Sequence, residues 1–247
     1  MEELDLSCYD PKKWIFTKYL ESSHGYWLYE EDQRNPGWRL VRIGRPSGST
    51  CSACVGHSDF TLQDDAALEI VGIKKKEFDE KALNRMNHGV KYENTAREWY
   101  EKQYKVNVKE IGYVVPSWDL KIGVSVDGLI IDNDGIIEIK CPQKMYDNLS
   151  NHIRLQKMGV NVKGFDHIPI SHYDQMQLGM AIMCKSYCDY IVYCTSDESI
   201  FCQRIPFNQE YWKTGLYPVL SWFCTDKLQP LLDKYKPGFP LMPSSSG

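Results

Sequence analysis

The chain lacks any hydrophobic run near the ~20 apolar residues that a membrane-spanning helix requires. It also lacks the basic-then-apolar opening of a secretory leader: MEELDLSCYDPKKW (Met1–Trp14) is acidic and mixed. An intracellular protein with no membrane partner is therefore expected. There is no excess of positive charge. The net charge is -4, which argues against a polycationic coat but leaves room for a local basic patch. Cysteine is present without a disulfide framework. The nine cysteines are odd in number and irregular in spacing, so free thiols in a reducing compartment are expected. No internal repeat and no long linker interrupts the chain. Only PGFPLMPSSSG (Pro237–Gly247) is rich in proline and serine, and residues 241–247 read as a disordered tail.

What is present suits an ordinary folded domain. The length of 247 residues, 43% of them apolar and 25% charged, is ample for a core. One domain over residues 1–240 is expected, with 1–40 as an N-terminal helical extension. Lys12–Leu20 reads as helix and EEDQRNPGW (Glu30–Trp38) as a turn. WRLVRIGRPSGSTCSACVG (Trp38–Gly56) starts apolar, becomes small and polar, and begins a helix near Ser49. Lys74–Tyr104 reads as helix, with Val90, Ala96, Trp99 and Tyr100 near helical spacing. Gly89 would let that helix approach a sheet closely. Strands are expected over Val106–Val115, Lys121–Ile131 and Ile136–Cys141. DNDG (Asp132–Gly135) turns the second into the third, and Pro142 ends it. His172–Lys185 reads as helix, with Met176, Met180 and Met183 toward the core. Tyr187–Thr195 and Ser199–Phe207 read as antiparallel strands, and Tyr211–Tyr235 as a closing helix. This order predicts an α/β (α+β) fold with a central mixed β-sheet flanked by helices.

Within GVSVDGLIIDNDGIIEIKCP (Gly123–Pro142), three charges interrupt a greasy hairpin. Residues i and i+2 of a strand share a face. Glu138 and Lys140 therefore point one way, and Ile137 and Ile139 the other. The hairpin brings Asp127 alongside Glu138. Two carboxylates and one ammonium on one face suit Mg²⁺ or Mn²⁺, hard cations that keep several waters. Such an ion polarises a phosphodiester and acidifies a bound water. Lys140 would orient or deprotonate that water, and the Ile139 carbonyl lies where a further ligand is needed. The same spacing also fits a solvated hairpin with an ordinary Glu–Lys ion pair.

The residues around this hairpin resemble the PD-(D/E)xK nuclease signature, and specifically the lambda-type exonucleases, or YqaJ-like viral recombinase family. Four pieces occur in the family's order over Arg42–Gln177, a little over half the chain. RIGRPSGS (Arg42–Ser49) resembles Arg-x-Gly-x-Ile-Thr-Ala-Ser, with Pro46, Ser47 and Gly48 departing from it. HGVKYENTA (His88–Ala96) resembles the Gly-x-x-Tyr/Leu-Glu-x-x-Ala helix. SVDGL and IEIKCP resemble Ser-Pro-Asp-Gly-Leu and Leu-Glu-Leu-Lys-Cys-Pro, with Val126 in place of proline. YDQMQLGM (Tyr173–Met180) resembles Tyr-x-x-Gln-x-Gln.

The resemblance implies a restriction-endonuclease-like core. It makes Asp127 and Glu138 metal ligands, Lys140 the catalytic lysine, and Glu93 a group reaching the metal from a helix. Gln175 would hold the water or metal shell. Arg42 and Ser49 would contact a 5′-phosphate, with Arg45 and Ser47 of the same loop as lesser candidates. Gln177, two residues beyond Gln175, would point elsewhere on a helix. The implied activity is a Mg²⁺-dependent 5′→3′ exonuclease (Mn²⁺ substituting). It would digest double-stranded DNA from 5′-phosphorylated ends and leave 3′ single-stranded tails. An alkaline optimum, a ring-shaped homotrimer, a single-strand annealing partner and a viral or phage origin are implied with it, in host cytoplasm or nucleus. An endonuclease or single-strand-specific nuclease with the same centre, and an inert DNA-end-binding recombination protein, are the alternatives.

Other signals are weaker. Cys51-x-x-Cys54 has no second pair at metal-binding spacing. Cys184, Cys188, Cys194 and Cys202 fall in apparent strands and a turn, unlike a cluster loop. Free buried thiols are the expectation. Most of the seven tryptophans and sixteen tyrosines belong to the core, with a few available to stack on bases. Lys74–Lys76 reads as a solvated basic face.

Overall fold

The computed structural model describes residues 16–21, 24–30, 33, 35–158 and 167–237. The chain begins with strands β1 (Phe16–Glu21) and β2 (His24–Tyr29). Three short helices follow: α1 (Pro36–Val41), α2 (Gly48–Cys54) and α3 (Gln63–Val71). The long helix α4 (Glu80–Tyr104) leads to β3 (Val108–Lys109) and β4 (Tyr113–Pro116). The hairpin β5 (Gly128–Ile130) and β6 (Gly135–Lys140) precedes α5 (Asp147–Lys157) and α6 (Ile170–Met183). β7 (Tyr187–Cys194), β8 (Ser199–Pro206) and a helical run ending in α7 (Tyr217–Trp222) and α8 (Gln229–Tyr235) complete it.

The large sheet is ordered β3-β5-β6-β7-β8 among the described residues. Its one parallel pair is β6 with β7; the rest are antiparallel. A parallel pair needs a crossover, and α5 and α6 supply it. β6 is buried from Gly135 to Ile139 because both faces are covered. Ile136, with Tyr190 of β7, packs beneath Leu178 and Met180 of α6. Ile137 and Ile139 pack on the opposite face with Ala96 and Tyr100 of α4. Met176, Met180 and Met183 are all buried.

Several expectations differ from the structure. Residues 12–15 lie outside the described residues, and 16–20, expected as helix, are strand. They pair with β2, which pairs with β4, forming a second, three-stranded antiparallel sheet. Alternation of Tyr26, Leu28 (buried) with Trp27 (half-buried) suits a strand better than a helix. The expected strand Val106–Val115 is two strands in different sheets, β3 and β4. Lys121–Ile131 pairs only at a Val114–Val124 bridge and over Gly128–Ile130, because this stretch passes between the sheets. The Glu30–Trp38 turn contains the start of α1, capped by Asn35, whose side chain accepts the Trp38 N–H at 2.6 Å. A side chain at Gly89 would meet nothing within 4 Å, so close packing does not require that glycine. The closing helix is continuous but has π-helical turns at Tyr211–Leu216 and Phe223–Leu228. Each precedes an α-turn with a proline near its start, Pro218 or Pro230. The proline ring and missing N–H disfavour a regular preceding turn, and a wider one relieves the clash.

The described cysteines are free, and six of the eight are buried. No described helix is long and apolar enough to cross a membrane. The tail 241–247 lies outside the described residues.

One buried network ties α4 to the sheet. Asp189 of β7 accepts hydrogen bonds from Tyr100 at 2.5 Å and from Arg204 at 2.9 and 2.8 Å. Asp189→Ala leaves the buried Tyr100 hydroxyl unsatisfied. A loss of about 1–3 kcal/mol is expected, read as a lowered urea midpoint, with Asp189→Asn recovering part of it. An unchanged midpoint would contradict this role.

Candidate active site

The β5–β6 register places Gly128 against Ile137 and Leu129 against Ile136. One step further, Asp127 stands opposite Glu138, on the same face. Asp127 Oδ2 accepts the Ile139 N–H at 2.6 Å, which fixes the carboxylate against the strand. The Ile139 carbonyl points to the same side as its N–H, as in any β-strand, and so toward Asp127. Lys140 Nζ is bonded to Glu138 Oε1 and lies 3.3 Å from Gln175 Oε1 of α6. Gln175 in turn packs against the start of α2: a Cβ at Gly48 would sit 2.9 Å from its Cγ. Asp127, Glu138, Lys140 and Gln175 thus meet on one face of the sheet.

Glu93 comes from α4, which covers the other face. Its carboxylate lies 3.5 Å from Arg97, which also pairs with Glu110. Glu93 acts on the cluster through its field, raising the pKa of both Asp127 and Glu138.

Burial raises Asp127 well above the ordinary carboxylate range, and Glu138 beside it adds to the shift. Burial likewise raises Glu138, with Lys140 opposing. Burial pulls Lys140 down, but the charges of Glu138 and Asp127 outweigh it and hold the ammonium protonated. The site is therefore short of positive charge. Two hard-oxygen donors, Glu138 buried and Asp127 half-buried, with Glu138 disfavouring ionisation of Asp127, fit a divalent cation. Among the described residues no three Asp, Glu, His or Cys side chains already surround one point. The donor set accordingly suits a cation that keeps most of its waters.

Behind the lysine, His172 Nδ1 is 2.7 Å from the Tyr190 hydroxyl, one turn before Gln175 on α6. Burial, reinforced by Lys140, pushes His172 down to about 3, so the ring is neutral. Tyr146 packs beside it, with ring centroids 5.7 Å apart.

A second cluster joins this one. Arg42 follows α1, and its Nη2 donates to Ser47 Oγ at 2.8 Å and Ser49 Oγ at 3.0 Å. Its guanidinium lies over the Trp38 ring, 4.1 Å from the centroid. Trp38 Nε1 donates to Ser125 Oγ at 2.7 Å, and Ser125 is two residues before Asp127. Arg42, Ser47 and Trp38 line a cavity of about 390 Å³. Arg45 also borders it, but its Nε and Nη1 donate to the Leu120 and Val41 carbonyls at 2.9 and 2.7 Å. It holds the loop rather than presenting a free fork. Gln177 is not in either cluster. It is fully buried, donating to the Pro206 carbonyl at 3.1 Å and accepting from Asn208 N at 2.8 Å.

Trp38 and Ser125 were missed in the sequence, although both left signals. Ser125 is at i−2 from Asp127 and so shares its face. Trp38 is at i−4 from Arg42, the helical spacing for a stacked pair.

A model of the YqaJ-like viral recombinase domain matches residues 37–186. The chain belongs to that family. Asp127, Glu138, Lys140, Gln175, Glu93, Arg42, Ser47, Ser49, Trp38 and Ser125 all lie within the matched segment. Among solved structures, the chain is similar to an alkaline exonuclease from Laribacter hongkongensis: 25% identity, TM-score 0.59, covering 81% of this chain and 97% of that one. The same enzyme in complex with dAMP matches with TM-score 0.60 at the same identity and coverage. A phage-related exonuclease from Haemophilus somnus 129PT, 12% identical, covers 79% of this chain and 96% of its own with TM-score 0.51, and shares the fold. No curated protein matches the chain. The chain thus has a PD-(D/E)xK-type fold, in which Asp127, Glu138 and Lys140 sit at the β5–β6 hairpin.

Proposed function

We propose that this YqaJ-family protein is a divalent-cation-dependent exonuclease acting on double-stranded DNA from 5′-phosphorylated ends. The observation that carries the reading is the connection of two clusters. Asp127, Glu138 and Lys140 form a phosphodiesterase centre, and Trp38 and Ser125 link it to the Arg42–Ser47–Ser49 cluster. A guanidinium flanked by two hydroxyls suits a terminal phosphate monoester, which offers several oxygens and more charge than an internal phosphodiester. The strand end held there sets its first internal phosphate before the carboxylates.

Asp127 and Glu138 would hold the divalent cation, with the Ile139 carbonyl beside them. Such a cation, Mg²⁺ by preference, neutralises charge on the phosphate and acidifies water when bound. Lys140 aims an N–H at the attacking water and stabilises charge on the phosphate oxygens. Gln175 keeps Lys140 directed there. Arg42 anchors the end, so the released nucleotide carries the 5′-phosphate. Complexation of the Laribacter enzyme with dAMP is in keeping with a mononucleotide product. Removal of nucleotides from the 5′ end leaves a 3′ tail, the substrate of a single-strand annealing protein. A homotrimeric ring would keep such an enzyme on its duplex.

The test is a time course with Mg²⁺ on end-labelled duplexes bearing 5′-phosphate or 5′-hydroxyl, beside a closed circle. The 5′-phosphate duplex is expected to be digested fastest and the circle left intact. Arg42→Ala should lower kcat/KM on the 5′-phosphate duplex roughly 10–100-fold and leave the 5′-hydroxyl rate nearly unchanged. Intact 5′-phosphorylated duplex, or equal cutting of the circle, would overturn the reading.

A further inference from the structure

Beside Lys140, a second cavity of about 580 Å³ opens between α4 and the connection from β6 to α5. It shares no lining residue with the Arg42 cavity. Arg85 and His88 come from α4, Lys140 from the end of β6, and Pro142, Lys144 and Tyr146 from the connection. No carboxylate lines it. Lys140 is already paired with Glu138, so Arg85 and Lys144 are two further cations on a lining without an acid, a local reversal of sign in a chain of net charge -4. Among the described residues, neither Arg85 nor Lys144 is paired with a carboxylate. Both are exposed at the rim. His88 is held against the wall, its Nε2 2.7 Å from Thr195 Oγ1. Tyr146 is half-buried. Rings and a proline below two unpaired cations suit a sugar–base unit with its phosphates at the rim.

We propose that Arg85 and Lys144 form the subsite for the phosphate immediately 3′ of the scissile phosphodiester. This rests on the exonuclease reading and deepens it. The Arg42 cluster connects to the centre through Ser125 and Asp127; the Arg85–Lys144 cavity borders the centre at Lys140. A strand whose 5′ end sits at Arg42 and whose first internal phosphate faces Asp127, Glu138 and Lys140 continues into this cavity. Two anion sites flanking one centre hold the strand by charges on both sides of the bond to be cut. His88, Pro142 and Tyr146 then face the nucleotide that becomes the new 5′ end.

The test is a coupling measurement in Mg²⁺ on 5′-phosphorylated duplexes. One substrate is unmodified; the other has an uncharged methylphosphonate at the linkage next 3′ of the first scissile bond. First-turnover rates are compared for wild type and Arg85→Gln/Lys144→Gln, with melting curves confirming that the variant is folded. The methylphosphonate is expected to slow wild type roughly tenfold or more. The variant should be slowed comparably on unmodified DNA, yet lose less than about twofold further on the methylphosphonate. Independent, multiplying effects would overturn the subsite, as would a wild type indifferent to the methylphosphonate. Wild type inert on unmodified duplex would instead sink the exonuclease reading, so the two failures are distinct.

Discussion

Lys140→Met is expected to lower kcat on 5′-phosphorylated duplex by about 10²–10⁴-fold, the range for losing a positioned proton-transfer or charge-stabilising group. KM should change little, because the proposed mechanism sets Lys140 at the reacting atoms and Arg42 at the strand end. Methionine preserves most of the volume, and Lys140 is only partly buried, so packing is a minor contributor. What disappears is the single ammonium held by Glu138 and Gln175. Gln175→Ala should give a smaller loss of the same kind, since it acts through Lys140 over one contact. Single-turnover kinetics at saturating enzyme separate these effects from weakened binding. A Lys140→Met enzyme with wild-type kcat would remove the lysine from the mechanism.

The carboxylate–lysine cluster was legible because β-strand geometry is short-range. Alternation alone places Glu138 and Lys140 together and Ile137 and Ile139 behind them, and the Asp-Gly turn brings Asp127 across. The rest depends on contacts distant in sequence. Glu93 occupies the family position, yet its pairing with Arg97 follows from the placement of α4 on the opposite face. Gln175 and Gln177 look equivalent in a motif. On α6 one faces Lys140 and the other ties down the end of β8.

The fold divides in the same way. The five-stranded sheet follows from strong hydrophobic runs. The second sheet does not, because β1 and β2 are polar enough to read as helix or turn and gain their strand character by pairing, β1 with β2 and β2 with the distant β4. Two helices left readable marks that were passed over. α3 has Asp64 and Asp65 in its first turn and Gly72 in the left-handed conformation after its end. α5 has Asp147 at its start and an apolar stripe including the buried Leu149.

Asp127→Asn is expected to abolish hydrolysis and, without a divalent cation, to raise the melting temperature. Burial, then Glu138, raises the Asp127 pKa above its unfolded value of ~3.9. Ionisation therefore opposes folding. That opposition is absent below about pH 4 and grows as pH rises through the folded-state pKa. Asparagine is neutral throughout and keeps an oxygen to accept the Ile139 N–H. In EDTA, the variant and wild type should melt together near pH 4 and separate toward about pH 8. A gain of about 1 kcal/mol there corresponds to roughly 2–4 °C for a chain of this size. Mg²⁺ should narrow the gap by stabilising wild type and not the variant, since only a ligand that binds the folded form raises its melting point. Coincident melting curves across the pH range in EDTA, or a variant that melts lower, would show that Asp127 is not strained by burial. Its role as a carboxylate kept for a cation would then lose its physical basis.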